Sequence, residues 1–222
     1  YTAMQQAIES EFQLRTARIV SNTRRAISFF LTERKSALDF IVHDNDLESL
    51  KSPERLASIL SDLGRSFGGG FVDLGVIEPS GYQANYVGPY RLEGKDYSGQ
   101  EWFEQVAEYG VHVSDVFLGY RQVPHMVIAV RGETEAGSFY VLRAALSIRP
   151  FENLLSNLEL SGKGDAFLIN REGVLQTPSR HYGDVLAELP LPVPAYTPQT
   201  QLMEERNAAG EELFIGYRYI EE

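Results

Sequence analysis

Residues from about Met4 to His43 carry neither proline nor glycine, and this uninterrupted run constrains the fold more than any other stretch. Met4, Ile8, Phe12, Ile19, Ala26, Phe30, Ala37 and Ile41 recur at spacings of three, four or their sums, which predicts one long helix with an apolar stripe. At ~1.5 Å per residue such a helix is roughly 60 Å long, more than one small domain can cover. Polar Arg15, Thr23 and Glu33 interrupt the stripe. The pattern therefore predicts a spine whose length lies in part in a dimer seam, although a helix packed along its own domain explains its C-terminal half equally well. The chain is expected to divide into this spine at 1–50, a unit at 51–149, and a connecting helix with a smaller unit at 150–222.

After the spine, Asp44-Asn45-Asp46-Leu47-Glu48 has the look of a calcium loop, but Ser49 and Arg55 stand where such a loop needs glycine and glutamate. A solvated turn is the better reading. Ser52-Pro53-Glu54-Arg55 then starts a helix, with Ser52 as N-cap and Pro53 in its first position. Leu56, Ile59, Leu60 and Leu63 give that helix its apolar face, and Gly68-Gly69-Gly70 ends it.

From Phe71 the pattern changes to alternation. Strands are expected at Phe71–Glu78 and Tyr82–Val87, joined by Pro79-Ser80-Gly81. A loop over Pro89–Gly99 and a helix over Glu101–Tyr109 follow. Three more strands fall at about Val111–Tyr120, His125–Arg131 and Ser138–Ile148. Beyond a connecting helix at Pro150–Leu160 come a hairpin of Asp165–Asn170 with Val174–Gln176, a proline-rich loop at Leu189–Pro198, and a last strand at Leu213–Tyr219. The phrase Gln176–Gly183 contains Thr-Pro-Ser, a turn signal, and reads as structure rather than as a second site.

Composition narrows the function classes. Among 222 residues the net charge is −11, and no basic stripe offers itself to nucleic acid. There is no cysteine, hence no disulfide, thiolate nucleophile or zinc-thiolate site. No apolar run approaches the roughly 20 residues that span a bilayer, and no signal peptide is visible. The chain begins and ends inside what read as structural elements, and so is expected to be an excised fragment. No hydrolase, zinc-protease or phosphate-loop motif occurs, and the four histidines are widely separated. No catalytic residues, metal ligands or cofactor are expected.

The residues that could hold a ligand gather on one sheet face. Trp102, the only tryptophan, lies where loop becomes helix, beside Tyr97, Gln100 and Phe103. A large aromatic there either lines a pocket wall, with its neighbours supplying hydrogen bonds, or plugs a core. Alternation puts Tyr140, Leu142, Ala144 and Leu146 toward the long helix, and Val141, Arg143, Ala145 and Ser147 on the opposite face. His125 faces that way in its strand, and Asp115, Phe117 and Gly119 share a face of theirs. A buried arginine needs a partner. For Arg143 that partner is either an internal carboxylate such as Asp115 or the carboxylate of a ligand.

The order KDYSGQEWF, VSDVFLGY, PHMVIAV, YVLRAALSI resembles the membrane-distal half of double Cache domains, and GKGDAFLINREGVLQTPSR resembles the start of their membrane-proximal half. These are extracytoplasmic sensor modules of bacterial transmembrane receptors, and the resemblance here is most like those of sensor histidine kinases. It implies an α+β fold: a long N-terminal helix followed by two PAS-like antiparallel-sheet subdomains. It implies, too, a small organic ligand in the distal pocket, a homodimer in the full receptor, an extracytoplasmic location, and membrane attachment through segments outside this stretch. The family's amino-acid binders carry an arginine two residues before the tryptophan and an aspartate near the end of the last distal strand. Gln100 and Ser147 stand at those positions here. A ligand without an ammonium group, such as a small carboxylate met by Arg143, fits better than an ordinary amino acid.

Overall fold

A computed structural model describes residues 2–221. The chain forms two compact units, one running from Thr32 to Glu152, the other made of the residues up to Leu31 together with those from Asn153 onward. Helix α1, Thr2–Asp44, contributes to both.

In the unit 32–152, α1 is followed by a short helix α2, Leu47–Lys51, where the sequence suggested only a turn. Asp46 is the reason: its side chain accepts the Ser49 N–H at 2.7 Å and caps the helix. Helix α3, Pro53–Phe67, begins as expected, with the Ser52 hydroxyl capping Arg55 N–H, and ends at Gly68 in the left-handed region. The strands are β1 Phe71–Ile77, β2 Gln83–Val87, β3 Val111–Val113, β4 Met126–Glu133 and β5 Phe139–Leu146. Helix α4, Glu101–Tyr109, lies between β2 and β3. All pairings are antiparallel, in the order β2-β1-β5-β4-β3.

The two faces of this sheet divide as alternation requires. One buries Leu74, Val76, Ile128, Val130, Leu142, Ala144 and Leu146. On that side the Tyr140 hydroxyl donates to the carbonyls of Val42 and Asn45, both at 3.3 Å, where α1 ends. Leu38, Ile41, Leu50, Leu56, Ile59 and Leu63 of the helices are buried as well. The opposite face carries a second apolar cluster of Ile77, Tyr97, Trp102, Phe103, Val106, Val127, Ala129 and Val141, with Phe117 and Phe139 against it. Helix α4 covers this second face.

The expected strand Val111–Tyr120 stops at Val113. Ser114 N–H still bonds the Val127 carbonyl, but the Val127 N–H turns to the Ser114 hydroxyl at 2.8 Å. A side chain thus takes the place of a ladder carbonyl, and the chain leaves the sheet until Phe117 pairs with His125.

The other unit packs a two-stranded sheet, β6 Gln201–Arg206 and β7 Glu212–Tyr217, with the first part of α1. Strand β6 has no counterpart in the sequence reading. Gly216 lets β7 approach the helix closely: a Cβ there would lie 2.9 Å from Thr16 and 3.0 Å from Val20. The Phe12 and Phe214 rings meet at 5.2 Å. Helix α5, Arg149–Ser156, is shorter than the expected Pro150–Leu160. The expected hairpin near Asp165 is reduced to single bridges such as Ile169 with Leu175. In the Gln176–Gly183 phrase, Asp165 accepts from the Ser179 hydroxyl and from Arg180 N–H, a turn held by its own polar groups.

Candidate ligand-binding hollow

Arg143 is the centre of the second sheet face. Its β5 position pairs with Gly75 on one side and Ala129 on the other, so two small residues leave room for a guanidinium. A Cβ on Gly75 would overlap Gln83 Oε1. The side chain is 2% exposed and fully engaged: Nε donates to Gln83 Oε1 at 3.1 Å, Nη1 to Asp73 Oδ1 at 3.4 Å, and Nη2 to the Tyr97 hydroxyl at 3.3 Å. Asp73 also accepts from Ala145 N–H and the Tyr86 hydroxyl, both at 3.0 Å. The internal partner of Arg143 is therefore Asp73. Asp115, which sequence reasoning named, is exposed, because the chain has left the sheet after Ser114.

Above this pair lies a hollow of about 280 Å³, counting its open mouth, lined by Leu92, Gly119, Val127 and the polar and aromatic groups that follow. Tyr97, Gln100, Trp102, Phe117, His125 and Arg143, all expected from the sequence, line it together. Tyr120 and Arg121, which were not expected, complete it. Phe103 lies in the apolar cluster behind, and neither Asp115 nor Ser147 is part of the lining. The Ser147 hydroxyl instead accepts Arg149 N–H at 3.1 Å. Trp102 fills both roles the sequence allowed, packing in the cluster at 5.3 Å from the Tyr97 ring while lining the hollow. Gln100 occupies the N-cap of α4 without a capping side-chain bond.

Electrostatically the lining is one-sided. It contains two arginines and a histidine but no carboxylate. Burial pulls the His125 pKa down to about 4, with Arg121 and Arg143 adding to the shift, so the ring is neutral at pH 7. Its Nδ1–H donates to the Val123 carbonyl at 2.7 Å, leaving Nε2 as an acceptor. Burial also raises the Tyr97 pKa, keeping its O–H protonated.

Asp73 and Arg121 escaped the sequence reading for different reasons. Asp73 had a signal, an acid between Val72 and Leu74 in an otherwise apolar strand. Arg121 had none, since its role depends on how the chain turns after Tyr120.

A five-stranded antiparallel sheet with a helix-bearing excursion, preceded by one long helix, is the α+β, PAS-like arrangement of Cache-type sensor domains. Among solved structures, the extracellular domain of a protein described as a histidine kinase, rpHK1S-Z16, aligns over 95% of this chain and 90% of its own, with TM-score 0.73 and 14% identity. An extracellular ligand-binding receptor from Desulfohalobium retbaense aligns over 91% of this chain and 40% of its own, with TM-score 0.69 and 13% identity. The sensory domain of the Campylobacter jejuni chemoreceptor Tlp3, solved with isoleucine bound, aligns over 79% and 74%, with TM-score 0.61 and 12% identity. At such identities the likeness is one of fold. No protein-family model and no curated protein sequence matches the chain.

Proposed function

We propose that this chain is the extracytoplasmic small-molecule sensing module of a transmembrane signal-transduction receptor, of the two-component histidine kinase kind. It takes a small organic ligand in the hollow of the unit 32–152 and passes the change along α1. The observation that carries this reading is the hollow itself: aromatic walls, a Gln100 side chain not used in capping α4, and charged groups meet on one covered sheet face. The fold neighbours, among them the extracellular domain of a protein described as a histidine kinase and the sensory domain of a chemoreceptor, supply the receptor context. No helix among the described residues is long and apolar enough to cross a membrane. The division 1–50, 51–149 and 150–222 into spine, sensing unit and smaller unit belongs to the same proposal.

Amino acids are not the main ligands in this reading, because none of the lining residues is a carboxylate that could meet an ammonium group. Mass spectrometry of the denatured, purified chain and a thermal-shift screen of organic acids, amines and nucleobase-like compounds test it. A true ligand at 100-fold above its Kd stabilises the protein by about 2.7 kcal/mol. An amino acid binding with micromolar Kd in this hollow would remove the exclusion of amino acids.

One observation favours a second reading, a ligand-free dimerisation or partner-docking module of a chemoreceptor or cyclase-type receptor. In this conformation the inner space of the hollow accommodates only about one water molecule. Failure of every compound class to bind, with nothing retained through purification, is the outcome that selects it.

A further inference from the structure

Arg121 differs from Arg143 in one respect that decides which of them a ligand meets. Every nitrogen of Arg143 already donates to a protein acceptor, and its charge is balanced by Asp73. Arg121 reaches the same hollow from the turn after Tyr120, and its Nε and Nη1 are shut off from solvent with no hydrogen-bond partner among the described residues. Its guanidinium lies over the Tyr90 ring, 4.3 Å from the centroid, which holds the charge in position without satisfying its N–H groups. Desolvated donors of this kind are costly unless something accepts from them. No carboxylate among the described residues lines the hollow, and the nearby buried one, Asp73, already accepts from three donors.

We propose that the hollow binds a small organic acid as its carboxylate, and that Arg121, not Arg143, supplies the charge that meets it. The inference rests on the sensing role above and names its ligand class. An ammonium group finds no counterion among the lining residues, so the acid lacks one. Arg143 acts one step back: by donating to the Tyr97 oxygen it leaves the tyrosine O–H free to point at the ligand. Tyr90 is a positioning residue for Arg121.

Calorimetry of the 222-residue chain with acetate, propionate, lactate, pyruvate, malonate, succinate and malate, each beside its amide and its nearest amino acid, tests the assignment. At least one carboxylate is expected to bind, with its amide at least about tenfold weaker. Arg121→Gln should weaken that acid by about ten- to hundredfold, and Arg121→Lys should recover part of the loss. The amide comparison needs no variant, so it decides the carboxylate claim even if a substitution impairs folding. The proposal is overturned if Arg121→Gln leaves the affinity of a bound acid unchanged, if the amide binds equally well, or if no acid binds. A neutral or cationic ligand found in the broader screen removes this inference and keeps the sensing role. Silence from every class removes the sensing role as well.

Discussion

At the scale of single residues, His125 shows how burial turns a side chain into a record of pH. It is 3% exposed, and its pKa falls from the ordinary 6.5 to about 4. Above pH 6.5 neither the folded nor the unfolded chain protonates it. Between pH 6.5 and about 4 the unfolded chain takes up a proton that the folded ring refuses, so stability falls as pH falls through this window and levels off below it. The shift corresponds to about 3 kcal/mol. Urea unfolding at pH 7 and pH 4.5 should therefore cost the native chain about 2–3 kcal/mol more than His125→Gln, which has nothing to titrate there. His112, whose pKa burial also lowers, is present in both proteins and cancels. A difference below about 0.5 kcal/mol would mean that the ring is not held neutral.

At the scale of elements, the joint between β1 and β5 depends on one carboxylate. The pairing skips a residue between Phe71 and Asp73, a bulge at which Asp73 Oδ1 receives the Ala145 N–H. The same oxygen meets Arg143, so the ion pair and the strand joint are one structure. Arg143→Met should destabilise the chain by about 3–5 kcal/mol, because it strands a buried charge. Adding Asp73→Asn removes that charge while keeping an acceptor for Ala145, so the double variant should be more stable than Arg143→Met alone. Urea titrations of the two variants and the parent measure this. Equal instability of single and double variants would show that the pair contributes through packing alone. Part of this was legible in sequence: alternation gives the faces of the strands and the meeting of Arg143 and His125 under the Trp102 helix. It does not give the places of Asp115 and Ser147, which it put on the same face and which do not line the hollow. Asp115 was misassigned because Ser114 diverts the chain, which no periodicity reports.

At the scale of the whole molecule, α1 carries two apolar stripes. Ile27, Leu31, Leu38 and Ile41 are buried within the chain, whereas Met4 and Ile8 are 74% and 59% exposed. Phe12, 44% exposed, also touches Phe214. We propose that the exposed stripe forms a parallel homodimer seam in the intact receptor, where membrane anchoring raises the effective concentration. In isolation the seam is short, and a net charge of −11 opposes it, screened over about 8 Å at physiological salt. The 222-residue chain should sediment mainly as a monomer at micromolar concentration. In membranes, Ile8→Cys in the intact receptor should cross-link between copies, and Ser10→Cys, on the far side of the helix, should not. The opposite pattern would assign the seam to the other face.

The sequence alone determined the elements and the chemistry available to them. Unbroken helical spacing, alternation and glycine or proline punctuation are local properties, and they act wherever the chain goes. Tertiary structure decided which charges are spent and which are left. Arg143 and Arg121 are equivalent as letters, but Gly75, Gln83 and Asp73 close around the first, while the second lies over the Tyr90 ring with Nε and Nη1 unpaired among the described residues. Those partners lie 31 to 70 residues away along the chain, and only the antiparallel registers and the turn after Tyr120 bring them into contact.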